Sequence, residues 1–363
     1  MMFKLIYKLP LIILLTFFYL LAFSNTNQTM TESQKLSEWK AWLSKYPVPK
    51  GAKRIFPVSY FPTENQENQG IYFYKAYHLA YYLENKAIFV SDWGQHKIFQ
   101  FDLNGNLIKT IGKKGQAPSE FEYPGELFVG DNGLLLILDE GNHRFQIFSY
   151  KGDFITSFKI YKPYFSYYLK KDNLLFANNT TLNNQEPLIE VLDLNGKFIK
   201  GIGERAHFPI DTPVNNNVYI SQDKKGNLIA VFAYFDIVRK YDMNGKLLYE
   251  KLIADNLIRD VSRQNKKNIQ FMDGKVSCLN VIRAVYSKND NHYLLLTYPR
   301  LAILEFDSEF SLKNYYYWPD TPVSYYAFDF FIENDNTSTI KFYILQTFDK
   351  NRLEIFSSKE GGK

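Results

Sequence analysis

An all-β fold, a six-bladed β-propeller of four-stranded antiparallel blades, is what this sequence predicts. Three observations carry the prediction: a repeat of constant length, a composition rich in aromatic rings, and an unpaired strand near the start that fits a gap at the end. Residues 87–108 read AIFVSDWGQHKIFQFDLNGNLI and residues 134–155 read LLLILDEGNHRFQIFSYKGDFI. Asp92 to Asp139 spans 47 residues, and so does Gly105 to Gly152. A period of that length with several short strands per unit marks a propeller blade. Tyr (28) and Phe (31) are abundant, and rings of that size suit half-buried strands.

The same grammar recurs more loosely at 187–203, 238–252, 300–316 and the end of the chain, which makes six units. Within each unit the Asp that closes the second strand can accept backbone N–H groups in the following turn. Asn-Gly and Lys-Gly pairs supply the positive φ of a tight hairpin between the third and fourth strands. The first strand of each unit is expected near 77–83, 126–130, 164–170, 218–222, 279–286 and 326–332. The last unit ends after a third strand at 352–357, while IFPVSYF (55–61) has no unit of its own. That N-terminal strand is expected to become the outer strand of the last blade, closing the ring without an open sheet edge.

The chain divides into an export signal at 1–24, a linker with a short helix at 25–50, and the propeller at 51–363. Lys4 and Lys8 precede an apolar run, Leu9 to Phe23, followed by small residues at Ala22 and Ser24. This is the layout of a secretory signal, and the run is shorter than the roughly 20 residues that span a bilayer. The chain is therefore expected to be extracytoplasmic: periplasmic, cell-surface or secreted, with membrane attachment only through an uncleaved leader. Thr31 and Gln34 form a capping box, and Leu36, Trp39, Leu43 and Tyr46 share one helical face, so 31–46 reads as a helix packed on the propeller.

Net charge is +5, and loss of Lys4 and Lys8 leaves about +3, too little to argue for nucleic acid. Cys278 is the single cysteine, so neither an internal disulfide nor a cysteine-based zinc site is available. Its apolar neighbours suggest an inert core thiol on a strand. Nor is there a G-x-S-x-G elbow, Walker loop, H-E-x-x-H or EF-hand loop.

The run IGKKGQAPSEFEYP (111–124), with the Asp139, Arg144 and Gly152 pattern behind it, resembles NHL-repeat propellers and the exported bacterial proteins described as six-bladed β-propellers. The likeness is sharp over 87–160 and fades towards 250. It implies a binding or scaffold propeller. Other six-bladed propellers are calcium-dependent lactonases and esterases or amidating lyases, with ligands around the tunnel mouth.

In a four-stranded meander the turns between first and second and between third and fourth strands share one face. Here they are short. The second-to-third turns and the crossovers between blades share the other, and 113–125, 202–217 and 251–277 are long. Function is therefore expected on that second face. The residues opening the first strands line the tunnel: His78, Glu126, Tyr219, Arg283 and Asp329. Trp93, His96 and Arg144 lie on turns of the same face, where turn or interblade structure is the plainer reading. The aromatic crossovers at 158–168 and 315–331 offer rings that could stack on sugars, although most should be strand and core. The insert 251–277, polar, charged and partly helical by its pattern, reads as a solvated excursion, with a lid or partner loop as the sharper alternative.

These features favour a non-catalytic protein, expected to be monomeric, that engages a protein, peptide or glycan without a cofactor. The alternative is an enzyme of the lactonase, esterase or lyase type acting at the tunnel. In that case Glu126 and Asp329 could hold calcium, an ion suited to hard oxygen donors. His, Tyr and Arg at the matching positions weigh against it.

Overall fold

The computed structural model describes residues 31–130, 132–162, 164–169, 172–181, 183, 185–208, 212, 214–271, 278–288, 290–322, 327–334, 339–347 and 350–359. The leader expected at 1–24 lies outside the described residues. Strands within each sheet are named a to d from the inside outward. Blade one comprises Ala76–Tyr82, Ala87–Asp92, Lys97–Phe101 and Leu107–Ile111. Blade two comprises Pro124–Val129, Leu134–Asp139, Arg144–Ser149 and Phe154–Lys159. The inner strands of the remaining blades are Tyr164–Leu169, Val218–Gln222, Ile282–Lys288 and Ala327–Asn334. Each inner strand lies beside that of the next blade, and the sixth lies beside the first.

The ring closes as the sequence predicts. Phe56–Phe61 pairs antiparallel with Arg352–Ser357 and supplies strand d of blade six. A further closure has no counterpart among the sequence expectations: Lys53 and Arg54 pair parallel with Tyr316 and Tyr317, adding a fifth strand to blade five. Between the two strands, Ile55 donates its N–H to Tyr317 O at 2.9 Å and is fully buried. One short stretch therefore ties two blades together.

The core is not one mass but six apolar clusters, one at each interface between neighbouring blades. The second strand of each blade is sandwiched between neighbouring blades, so strands such as Ala87–Asp92 are buried at every position rather than alternately. At the seam between blades six and one, Tyr81 stacks on Phe331 at 4.1 Å, and Phe331 stacks on Tyr343 at 4.4 Å.

Turn chemistry follows the sequence closely. Asp92 accepts N–H groups from Gly94 and Gln95 at 3.0 and 2.9 Å. At the outer hairpins Gly105 and Gly152 both sit at φ 81°, where a side chain would be strained. Blade five lacks that glycine. Phe310 takes the left-handed position instead, at φ 60°, with its ring stacked on Phe306.

Helix α1 (Glu32–Lys45) begins at a Thr31 capping box reciprocated by Gln34. It docks on blade five: Trp39 donates to Pro299 O at 2.7 Å, and Trp42 meets Tyr298 edge-on. A second, short helix, α2 (Glu64–Asn68), follows the closing strand. Helix α3 (Asn256–Phe271) forms within the insert expected to be partly helical at 251–277, and it packs on the blades rather than standing in solvent. It buries Leu257, Ile258 and Val261, and Asn265 bonds to Tyr234 O and to both backbone groups of Leu279. Those apolar positions cover one helical face, which draws the segment onto the blades. Cys278 lies just before an inner strand, half-buried rather than within it, and burial pushes its thiol up to about 12. Among the described residues no helix is long and apolar enough to cross a membrane.

Candidate functional site at the tunnel mouth

The opening of each inner strand faces the side of the ring that carries the long crossovers. Two turn carboxylates fix those openings. Asp92 accepts N–H groups of Tyr74 and Lys75 at 2.6 and 3.1 Å, and Asp139 accepts that of Glu122 at 2.7 Å. Each thus clamps the chain just before it enters strand a. In five of the six blades the pairing of strands a and b then shifts register within the first few residues, for example between Ala76 and Leu79 and between Pro124 and Leu127. Such bulges re-aim side chains. Here they act where His78, Glu126, Arg283 and Asp329 project.

His78 Nδ1 lies 3.0 Å from Asp329 Oδ2, across the seam between blades one and six. Burial disfavours the imidazolium, but the Asp329 charge outweighs it and raises the pKa to about 9. Glu126 is near both: burial and the Asp329 charge push its carboxyl up to about 7, against the pull of His78. Its Oε2 is buried and accepts no hydrogen bond. Tyr219 feels the charges of Glu126 and Asp329, and burial first of all pushes its hydroxyl well above the ordinary range. That hydroxyl donates to Arg283 O at 2.8 Å. Of the tunnel positions read from the sequence, the structure brings His78 and Asp329 into contact and ties Tyr219 to the Arg283 backbone, while Glu126 lies within electrostatic reach of the first pair. The Arg283 side chain is turned to Thr297, with Nε 3.4 Å from the hydroxyl.

Four contributors were not legible in the sequence. Glu140, on a short 3-10 turn over 140–142, reaches the same region, and burial together with Glu126 raises its carboxyl to about 8. It lies over Gly125, where any side chain would collide with its carboxyl. The remaining contributors are Tyr77, Tyr167 and Asn280. Burial and the charges of Glu126 and Glu140 push the two phenols well above their usual range. A glycine immediately before Glu126, with an acid right after the turn Asp139, is the signal that could have revealed Glu140.

The turn residues take different roles. Trp93 stacks on Tyr123 at 4.3 Å with Lys75 Nζ 4.9 Å from its ring centre, and its buried indole N–H makes no hydrogen bond. His96 accepts the Tyr123 N–H at 3.1 Å, and burial lowers its pKa. Arg144 is occupied by Asp139 and by the carbonyls of Ala117 and Glu120, so it staples the 113–125 crossover rather than facing the tunnel. Of the crossover aromatics, Phe158, Tyr167, Tyr315 and Tyr316 are buried, whereas Tyr161 is 88% exposed. Among the described residues no three His, Cys, Asp or Glu side chains gather as a metal site requires. Two grooves of about 380 and 700 Å³ lie between blades two and three and between blades three and four, and share Glu186, Pro187 and Phe198.

Residues 48–251 match the DUF5128 family of 6-bladed beta-propellers, and the chain belongs to that family. Among solved structures, a candidate exported protein of Bacteroides fragilis superposes with a TM-score of 0.59 at 11% identity, over 87% of this chain and 98% of that one. A DUF4221 member from Bacteroides vulgatus gives 0.55 at 13%, over 85% and 98%. A streptogramin B lyase gives 0.51 at 15%, over 85% and 88%. At such identities these likenesses show the fold alone. A stretch of 46 residues is 42% identical to the human E3 ubiquitin-protein ligase TRIM32, spanning 13% of this chain and only 7% of that protein.

Proposed function

We propose that the chain is an exported, NHL-type binding propeller that engages a protein, peptide or glycan through the face bearing the long crossovers. The observation that carries this reading is the meeting of buried, incompletely bonded polar groups from separate blades at the tunnel mouth of that face. A propeller serving only as a spacer gains nothing from leaving Glu126 Oε2 unpaired, since a buried acceptor without a donor costs stability. Export is supported by the leader-like residues 1–24 and by the fold shared with a candidate exported protein. Screening the purified chain against glycan and peptide arrays tests the reading. Substitutions at Tyr77 and Glu126 should abolish capture, and substitutions on the opposite face, at Asn106 and Lys151, should not. Capture lost only with the second set would refute it.

A second reading, an enzyme acting at the tunnel, is favoured by one observation. Glu126, poised to gain or lose a proton near neutrality, stands beside the His78–Asp329 pair, the kind of tuned grouping that acid–base chemistry uses. Turnover of lactones, esters or a streptogramin by the purified chain, abolished by Glu126→Gln, would establish this reading in place of the first.

A further inference from the structure

We propose that the outer edge of blade three takes an extended, acidic segment of a partner protein as an added strand. This site lies on the rim of the ring, apart from the tunnel mouth.

The chain itself shows that a blade of this ring accepts such a strand. Lys53 and Arg54 run parallel to Tyr316 and Tyr317 as the fifth strand of blade five. Phe198–Ile202, the outermost strand of blade three, has no strand beyond it among the described residues. Such an edge offers a row of backbone N–H and C=O groups to another chain.

Blade three is bare where a second backbone would approach. Every outer strand carries a bulge near its start, at Val58, Ile108, Ile155, Ile199, Leu248 and Lys313. Two residues further on, five blades place Tyr60, Thr110, Ser157, Glu250 or Tyr315, and blade three places Gly201. Gly201 is exposed and its φ lies outside the left-handed region, so no turn demands glycine there. A Cβ at that point would meet the Pro187 ring at 2.6 Å, which keeps the position without a side chain. A bare residue inside a strand admits the close approach of another backbone.

The two grooves flank this strand on opposite faces of the blade, and Pro187 and Phe198 line both. Successive side chains of an added strand point to opposite faces, so one set enters each groove. Phe158, Ile160 and Tyr161 fit the groove beside blade two for apolar side chains. Charge decides what the other positions carry. Lys162 holds Glu186 and Glu190 at 3.2 and 2.8 Å, and Arg239 holds Glu250 at 2.6 Å. Lys159, Lys197 and Lys246 are exposed and make no ion pair among the described residues, with Glu204 the one such acid beside them. Unanswered ammonium groups around one strand favour a segment that carries carboxylates.

Fluorescence anisotropy of the purified chain tests this with labelled seven-residue peptides that alternate Glu with Phe or Val. Two controls replace Glu by Lys, or methylate the backbone nitrogens of one alternate set of residues at a time. The acidic peptide should bind, and its lysine counterpart should bind about tenfold more weakly or worse. Methylating one set should cost about tenfold or more and methylating the other little, because an added strand uses one edge of its backbone. Hydrogen exchange should slow at Lys200–Ile202 and not at Leu107–Ile111. Phe198→Ser, at a half-exposed position, should weaken binding about tenfold while Tm stays unchanged. Binding indifferent to N-methylation, protection that maps to the inner strands, or no binding of the acidic peptides at about 1 mM would overturn the inference. A dimer of the chain that buries Phe198–Ile202 would assign the edge to a second copy and overturn it as well.

Discussion

His78 and Asp329 meet at 3.0 Å although 251 positions separate them in the chain, because the first and sixth blades are neighbours in the ring. The carboxylate also accepts the Leu79 N–H at 3.0 Å and that of Phe330 at 2.8 Å. One side chain thus binds the backbones on both sides of the seam and sets the protonation state of the tunnel mouth.

Replacing Asp329 by Asn should therefore be felt twice. The imidazole of His78 loses the charge that overrides its burial, so its pKa should fall from about 9 to below the ordinary 6.5. NMR titration of the ring protons reads that directly. Urea unfolding should report a loss on the order of 2 kcal/mol, as for a partly buried pair broken on one side.

Stability should decline as pH rises from about 4.5 to about 9. The folded pKa of His78 is raised, so its contribution is full below pH 6.5 and fades as pH rises through about 9. Glu126 and Glu140 have folded values of about 7 and 8 against an ordinary 4.5, so the unfolded chain gives up these protons first and stability falls from about pH 4.5 until those values are passed, then levels off. Glu126→Gln removes one source of this slope. At pH 8 the variant should be more stable than the parent by on the order of 1–3 kcal/mol, and the gap should close near pH 4. Thermal melts across pH 4–9 check both statements.

Arg144→Ala should loosen the crossover at 113–125 without opening the ring. The side chain bonds to Asp139 and to two crossover carbonyls, and its loss leaves a fully buried carboxylate short of a partner. A cost of about 3 kcal/mol is expected. Hydrogen exchange should quicken at 113–121 well before it does at Ala87–Asp92. Arg144→Lys should restore little, because an ammonium cannot reproduce the planar fork.

Ile55→Ala should be among the costlier truncations, at about 2–5 kcal/mol by urea unfolding. Its side chain fills the interface between blades five and six, where it packs with residues such as Leu301, Tyr316 and Phe356. A cost below about 1 kcal/mol would mean that the N-terminal strand is not what holds these blades together.

Much of this architecture was legible because propeller blades repeat their punctuation. The Asp and Gly landmarks of blades one and two located turns, and turns located the inner strands to within a few residues throughout. The closing strand could be deduced by counting, since Arg352–Ser357 lacked an outer neighbour and 55–61 lacked a sheet. Blade five shows why the signal wears: a stacked Phe310 can occupy a left-handed position that glycine marks elsewhere. The helical character of the 251–277 insert was legible, but the docking of helix α3 was not, because the stripe of Leu257, Ile258, Val261 and Asn265 that seats it is narrow within a polar segment. At the tunnel, strand register brought His78, Glu126, Tyr219 and Asp329 to notice. Glu140 escaped because it arrives from a turn in sequence far from the strand it serves, and no periodic rule describes a side chain laid across a glycine.

The double tie made by residues 53–61 has a consequence for the order of events in making the protein. The outermost strand of the last blade is translated before every other propeller strand except Lys53–Arg54, and its partner at 352–357 emerges after all the others. Every blade can assemble in turn behind the advancing chain, but the opening segment has no mate until all the other strands of the ring have been made. A chain that lacks Arg352–Ser357 leaves Phe56–Phe61 without its partner strand, so the ring cannot be closed by degrees.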